Sequence, residues 1–519
     1  MPRIHPLLPL LFLAGIVLTG CEKAVIERRL QTIQSQSRPP ADGSFMKVHM
    51  KNGQAYTLTS WEYDDSAGVL RGNGLHFDAN REVVGMGSPE HRIPYAAIAL
   101  LEGNVIGSRG TSVAGLAFIT ALSGAMTVFC ATNPKACFGS CPTFSAWNGT
   151  SMELQAEGFS SSITPALEAT DVDALFRARP AGDFFTVHVR NEALETQTIR
   201  RTELLVFPRP VNGRVFKTPS GEFREATTLR PPRSARAGSR DILAPLFHAD
   251  GIEYFSPADS TDLARRETIE LEFECTAGEP IGLVVMSRQT LMTTFLMYQT
   301  LAYFGNGVGA MLAEIERGGN PAIERLKGAG ELLGTIEVMV PLEGGTWTVA
   351  GRTGETGPIA SDVTVVPLGR GSSRGVVPVR LCLTRGFWRL DWVALVHLGR
   401  SVPPARLTPV TITSLGNDEL PVGTEWPGAQ GPLVLLPGDA YSVTYRLPRE
   451  LDDPEFFMES RGYYLEWIRK SWIEEENPER ALVFLTEPAE YLRLLAPEYK
   501  KVEASMDEQF WSSRYAKLP

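Results

Sequence analysis

Six cysteines are the residues of this chain best suited to chemistry: Cys21, Cys130, Cys137, Cys141, Cys275 and Cys382. The closest pair stands in Ala136-Cys137-Phe138-Gly139-Ser140-Cys141-Pro142. That spacing admits three chemistries. A local disulfide comes first, because Gly139 lets the loop bend, although closing so short a loop stabilises a fold only modestly. A thiolate metal site comes second, with Cys130 or His188 as a further ligand, since thiolate and imidazole suit copper. Thiol exchange comes third. It uses a tighter Cys-x-x-Cys spacing near a βαβ pattern, whereas here the spacing is longer and the flanks alternate like a hairpin. Cys275 and Cys382 lie in strand-like runs and are the candidates for a second disulfide.

Thr384-Arg385-Gly386-Phe387-Trp388-Arg389-Leu390-Asp391-Trp392 offers a different chemistry. Side chains alternate along a strand, which places Trp388 and Trp392 on one face. Trp388 could stack on a sugar ring while Arg389 or Asp391 bonds its hydroxyls. The competing reading puts the tryptophans in a core and pairs Arg389 with Asp391 at the surface. It is the better of the two, because large aromatics dominate such interiors. No nucleophile elbow, zinc-protease helix or phosphate loop occurs. No catalytic residue and no cofactor are therefore assigned. The seven histidines are scattered, and Glu192 and Glu195 read as solvated or paired.

Leu18-Thr19-Gly20-Cys21 closes an apolar run from Leu7 to Leu18. It resembles the lipobox of bacterial lipoproteins. The resemblance implies that residues 1–20 are a cleaved signal peptide and that Cys21 carries a diacylglyceryl group. The new amino end would be acylated as well, with palmitate among the chains. The run is short for a bilayer span and a charged segment comes directly after it. Each buried lipid CH₂ contributes roughly 0.8 kcal/mol, so two or three chains hold a folded body on a membrane. The implied place is the bacterial cell envelope, facing the periplasm or the cell surface, where thiols can pair.

The Cys137 motif resembles small envelope domains of unknown function that open Cys-Phe-Gly-x-Cys-Pro. The likeness covers roughly residues 136–180. It implies two strands and then a helix, with Thr170 as N-cap and Asp173 at the third helical position. Its Cys-x₃-Cys-Pro spacing is also similar to copper-delivery proteins of the thioredoxin fold, in which a distant His is the third ligand. The Trp388 segment resembles jelly-roll sandwiches related to galactose-binding domains, over about residues 335–400.

The elements that must position these residues are mostly β. The expected class is α+β, predominantly β. Residues 21–44 read as a polar tether. Residues 45–110 read as a small β-barrel-like domain, with Asn52-Gly53 turning a hairpin; the pattern loosely resembles SH3-like barrels. Residues 111–131 are uncharged and read as an apolar helix packed in the body rather than crossing a bilayer. Residues 132–222 form the Cys137-type unit. Residues 223–447 form a β-sandwich with a helical insertion at 286–333. Residues 448–519 form a helical tail, in which Ser460–Lys470 presents an aromatic helix face. A net charge of −10 excludes a nucleic-acid surface as the main function. The expected function is a lipid-anchored envelope protein that binds or scaffolds without catalysis, with the membrane and an envelope protein or glycan as partners. The alternatives are metal handling through Cys137 and Cys141 and carbohydrate binding through the sandwich.

Overall fold

The computed structural model describes residues 23–31, 33, 38–39, 41, 46–50, 54–77, 84, 90–109, 142–159, 162, 168–193, 195–305, 329–342, 345–354, 357–373, 375–415, 432–449, 453–466 and 475–508. Cys21, Cys130, Cys137, Cys141 and the segment 111–131 lie outside them.

The first body is one sheet built from β1 (Lys23–Gln31), β2 (Met46–Met50), β3 (Ala55–Asp64), β4 (Val69–Phe77), β5 (His91–Pro94) and β6 (Ile98–Arg109). Its order is β1-β6-β2-β3-β4-β5. The expected β2–β3 hairpin is present. Two expectations change. Among the described residues the sheet is open, with β1 and β5 at its edges. The expected tether also contains β1, which pairs with β6 from Lys23 to Gln31. Val48, Leu58, Trp61, Leu70, Ile93 and Leu101 fill this sheet's core.

The other described residues form two pairs of facing sheets, one inserted into the other. The host pair begins with β7 (Thr143–Trp147), β8 (Met152–Glu157), β9 (Ala169–Ala174), β10 (Phe184–Arg190) and β11 (Glu195–Phe207). The inserted pair comes next. Its strands are β12 (Gly213–Lys217), β13 (Phe223–Arg230), β14 (Ser234–Ala237), β15 (Arg240–Asp241), β16 (Tyr254–Phe255), β17 (Arg266–Glu274) and β18 (Pro280–Gln289). After helix α1 (Met292–Phe304) come β19 (Ile336–Pro341), β20 (Trp347–Thr353), β21 (Asp362–Arg370), β22 (Val376–Thr384) and β23 (Trp388–Ser401). The host pair then resumes with β24 (Ala405–Leu407), β25 (Thr411–Ser414), β26 (Leu433–Leu435), β27 (Ala440–Arg446) and β28 (Glu455–Glu466). Helices α2 (Pro478–Thr486) and α3 (Pro488–Val502) complete the order.

The host sheets run β25-β27-β10-β7-β8 and β24-β11-β28-β9. The inserted sheets run β13-β12-β21-β18-β23-β16 and β15-β14-β17-β22-β19-β20. These pairings cut across boundaries at 222/223 and 447/448. β10 takes its partner from residues 440–446, and β11 pairs with β28 along most of its length. Insertion needs no long connection, because Val206 and Ala405 are direct partners.

Three cores hold the four sheets in a stack. Phe144, Val187, Phe456 and Tyr445 fill the host pair. Leu205, Phe207 and Phe457 from the host meet Val284, Met286, Val365 and Trp392 from the insert. Leu283, Val393, Leu271 and Leu381 fill the inserted pair, where α1, α2 and α3 also pack. Central strands are thus covered on both faces, which explains their unbroken apolar runs.

Two predicted helices are strands. Residues 169–174 form β9, and residues 455–466 form β28 beside it. The acidic residues that suggested a helix cap bind strand backbone instead. Asp171 accepts from Phe159 N at 3.1 Å and Asp173 from Glu157 N at 3.1 Å, since short polar side chains satisfy backbone donors in either setting. The helical tail begins only at Pro478, and Pro497 is accommodated inside α3. The helical insertion expected over 286–333 starts only at Met292, because residues 280–289 are β18; its first helix ends at Gly305 with φ 48°, residues 329–333 are helical again, and 306–328 lie outside the described residues. Among the described residues, no helix is long and apolar enough to cross a membrane.

Candidate functional site

Among the described residues, the sequence-predicted ones do not converge. Cys275 and Cys382 are free thiols, which corrects the expected second disulfide. They occupy opposite ends of the β17–β22 ladder: Cys275 N bonds Gly375 O, whereas Cys382 faces Thr268. The length of strand between those positions separates them by about 20 Å, and a disulfide needs Cα atoms within roughly 7 Å. Cys275 Sγ donates to Ser372 O at 3.6 Å, and Cys382 Sγ accepts from Arg266 Nε at 3.4 Å.

Trp388, Arg389 and Asp391 point three ways. Trp388 is 1% exposed inside the inserted core. Arg389 pairs with Asp507 at 2.5 Å and lies over Phe255 at 4.4 Å. Asp391 accepts from Gly251 N at 2.9 Å, and burial raises its pKa above the ordinary aspartate value. Trp388 and Trp392 do not share a face. The register slips where Met286 faces Trp392 but Ser287 faces Leu390. Asp391 is the extra residue of a β-bulge, which reverses the inside–outside parity of the downstream part of β23. A filled aromatic core at Trp388 leaves no room for a sugar there.

His188 has a more open setting, on the outer face of the host sheet β25-β27-β10-β7-β8. The alternation fixes this face. Val187, Val189, Ala146, Ile412, Val443 and Tyr445 point into the host core, so their neighbours point away. Two cross-strand rows result. One reads Thr413, Ser442, His188, Ser145, and the other reads Thr411, Thr444, Thr186. Thr186 and Thr444 bond through their hydroxyls at 3.2 Å. Trp147 lies beyond Ser145 along β7 on the same face and is 36% exposed; Phe184 on β10 is 52% exposed. Arg446 stands over Phe184 with its guanidinium 5.9 Å from the ring centroid.

This face is largely uncharged at its centre and carries two exposed aromatic rings. Partial burial, then Arg190, lowers the His188 pKa below the usual imidazole value, so the ring is neutral at pH 7. Its Nδ1 has no hydrogen-bond partner among the described residues. Among those residues, no three His, Cys, Asp or Glu side chains converge as a metal site requires, and the His188 rows hold only hydroxyls. The reading of His188 as a ligand beside Cys130, Cys137 and Cys141 reaches residues outside those described.

Trp147 and Phe184 carry no motif that marks them in the sequence. The available signal is alternation: in Thr143-Phe144-Ser145-Ala146-Trp147 and Phe184-Phe185-Thr186-Val187-His188, small or apolar positions interleave with hydroxyls. A ring interaction is also illegible there, because Tyr56, His76 and His91 come from three strands. Tyr56 stacks on His76 at 4.3 Å and lies 5.1 Å from His91. A shallow cleft of about 550 Å³ beside Leu332, Pro488 and Ala489 is rimmed by Glu331, Glu487, Glu490 and Arg493. Arg493 and Glu490 pair with each other at 3.0 Å, and the lining includes no histidine, cysteine or serine.

No protein-family model matches the chain, and no curated protein sequence matches it. The solved structures that overlap it include two weak likenesses. The GH31 alpha-xylosidase from Xanthomonas citri aligns with 85% of this chain and 38% of its own, at 9% identity and TM-score 0.14. The infectious bursal disease virus VP2 subviral particle aligns with 95% of this chain and 92% of its own, at 10% identity and TM-score 0.15. Overlaps at these scores establish neither fold nor function.

Proposed function

We propose that this chain is a lipid-anchored cell-envelope protein that binds rather than catalyses, and that it presents the hydroxyl and aromatic face of the host sheet to a neutral glycan. The paired sheets are then β-sandwiches, and the anchor is a lipid-modified Cys21. The exposed pair of Trp147 and Phe184, flanking two rows of hydroxyls, carries the binding half of this reading. Sugar rings offer C–H faces that stack on aromatic rings and hydroxyls that exchange hydrogen bonds, so they match both parts of the surface. A neutral His188 adds a donor or acceptor without charge. The sequence Leu18-Thr19-Gly20-Cys21 carries the anchoring half. Acyl chains would hold the protein to the bilayer without help from its acidic surface.

Affinity electrophoresis through gels containing neutral polysaccharides tests the surface. At least one polysaccharide should retard the wild-type chain, and Trp147→Ala with Phe184→Ala should abolish the retardation while the far-ultraviolet spectrum is unchanged. Equal mobility of wild type and double variant in every gel would refute it. Metabolic labelling with palmitate tests the anchor: label should enter the wild type and not Cys21→Ser. Label in neither would refute lipidation.

A further inference from the structure

The host and inserted pairs meet not only through apolar packing. They also meet at a buried charged seam, where the insert abuts the open edge of β8 and β9. Four backbone amide or carbonyl groups are satisfied across it. Asp362, at the start of β21, accepts from Ala174 N at 3.0 Å. Glu157, at the end of β8, accepts from Ile359 N at 2.7 Å and Ala360 N at 3.2 Å. Lys217 of β12 donates to Val172 O.

The charges at this seam do not balance. Among the described residues, Lys217 supplies the positive charge beside Asp173 and pairs with Asp362 at 3.3 Å, and Arg288 of β18 attracts Glu157 while it is paired with Glu253 and Asp507. Asp171 and Asp173 of β9 face the same lysine, and Glu157 contributes a further carboxylate from β8. Asp362 has its lysine and a backbone donor, Glu157 has two backbone donors, and Asp171 accepts from Phe159 N and Val172 N. Asp173 is 5% exposed and accepts the amide of Glu157. It is thus buried among like charges, with the lysine engaged elsewhere. An ionised carboxylate in that position loses its hydration and gains little in return.

We propose that this seam is a proton-linked latch: the Asp173 carboxyl is protonated while the insert is seated on the host edge, and it gives its proton to solvent when the seam opens. Burial, then repulsion from Asp171 and Asp362, raises the Asp173 pKa well above its ordinary value, against the pull of Lys217 and the Glu157 amide. On the lysine, burial acts to lower the pKa, and the attraction of the neighbouring carboxylates, that of Asp362 foremost, raises it; with Asp173 neutral, Asp362 and Asp171 remain to hold the Lys217 charge. Closure holds a proton that the open form releases, so the closed seam has its full stability below the ordinary aspartate value of about 3.9. That stability is lost as pH rises from there through the raised value.

Hydrogen exchange of the full chain, corrected for the intrinsic effect of pH, tests this. In segments 153–158, 170–177 and 357–362, protection in the wild type should fall by up to about tenfold per pH unit across the titration window. Asp173→Asn keeps a carbonyl acceptor for the Glu157 amide and should remove that slope, with β2 and β3 as an unaffected reference. Equal slopes in wild type and variant would overturn the latch. If Asp173→Asn fails to fold, Asp171→Asn removes a repelling carboxylate and should move the window to lower pH. An unmoved window would overturn the proposal as well.

Discussion

Trp388 shows how far residue type reaches. The sequence offers it with Arg389 and Asp391 as a sugar-binding set, and also as core. The fold decides for core, because Trp388 meets Phe387 edge-on with centroids 5.4 Å apart and is shut from solvent. Trp388→Phe should therefore cost about 1–3 kcal/mol of stability and leave retardation by polysaccharide unchanged, as urea unfolding and affinity electrophoresis would show. A loss of retardation at full stability would return the sugar site to Trp388. Tyr445 makes a second case. It is wholly buried in the host core, and its hydroxyl donates to Thr202 Oγ1 at 3.0 Å. Tyr445→Phe should cost about 1 kcal/mol, the usual worth of a buried hydrogen bond, with no effect on the outer face. Neither partner was legible, because Tyr445 and Thr202 lie far apart in sequence.

Strand existence was legible where alternation is clean, and strand register was not. Residues 336–341 and 376–384 alternate and are strands, whereas 388–401 is a strand buried on both faces from Leu390 to Val396. β28 is buried on both faces and carries Tyr463 and Tyr464 side by side, so no period of two marks it and a helix reads equally well. The bulge at Asp391 leaves no composition signal. Its consequence is large: downstream of it, Trp392, Ala394 and Val396 face the host, and Val393 and Leu395 face the inserted core. Deleting Asp391 removes the extra residue: Leu390 and Trp392 become consecutive opposite Ser287 and Met286, both sets along β23 keep their faces, and what is lost is the acceptor for Gly251 N. The expected result is a cooperative thermal transition, with stability lowered by about 1–3 kcal/mol for the lost turn contact. Asp391→Asn keeps the bulge and an acceptor for Gly251 N, so it should shift stability by less than about 1 kcal/mol. A deletion variant without a cooperative transition would show that Asp391 is not the extra residue.

Nesting one sheet pair within another makes the two thermodynamically dependent. The insert leaves the host after Phe207 and returns at Ala405, one step along the same ladder, so its two connections alone would hold it loosely. What fixes it is the middle core. Phe457 is 1% exposed, stacks edge-on against Phe223 at 5.0 Å and Phe207 at 5.5 Å, and so ties host strand to inserted strand. Removing its ring opens a cavity shared by both pairs, at a cost of about 3–5 kcal/mol. If the pairs unfold as one unit, calorimetry of the wild type should give one transition for both, and Phe457→Ala should lower that whole transition. If they unfold separately, Phe457→Ala would split the trace, leaving the inserted core of Leu283, Val393 and Leu381 to melt near its original temperature. The first outcome is expected, because sheets covered on both faces lose a face of solvent protection the moment their neighbour unfolds. The seam at Asp173 then sets how strongly pH tilts this shared equilibrium, with the coupled transition falling in temperature as pH rises above the ordinary aspartate range.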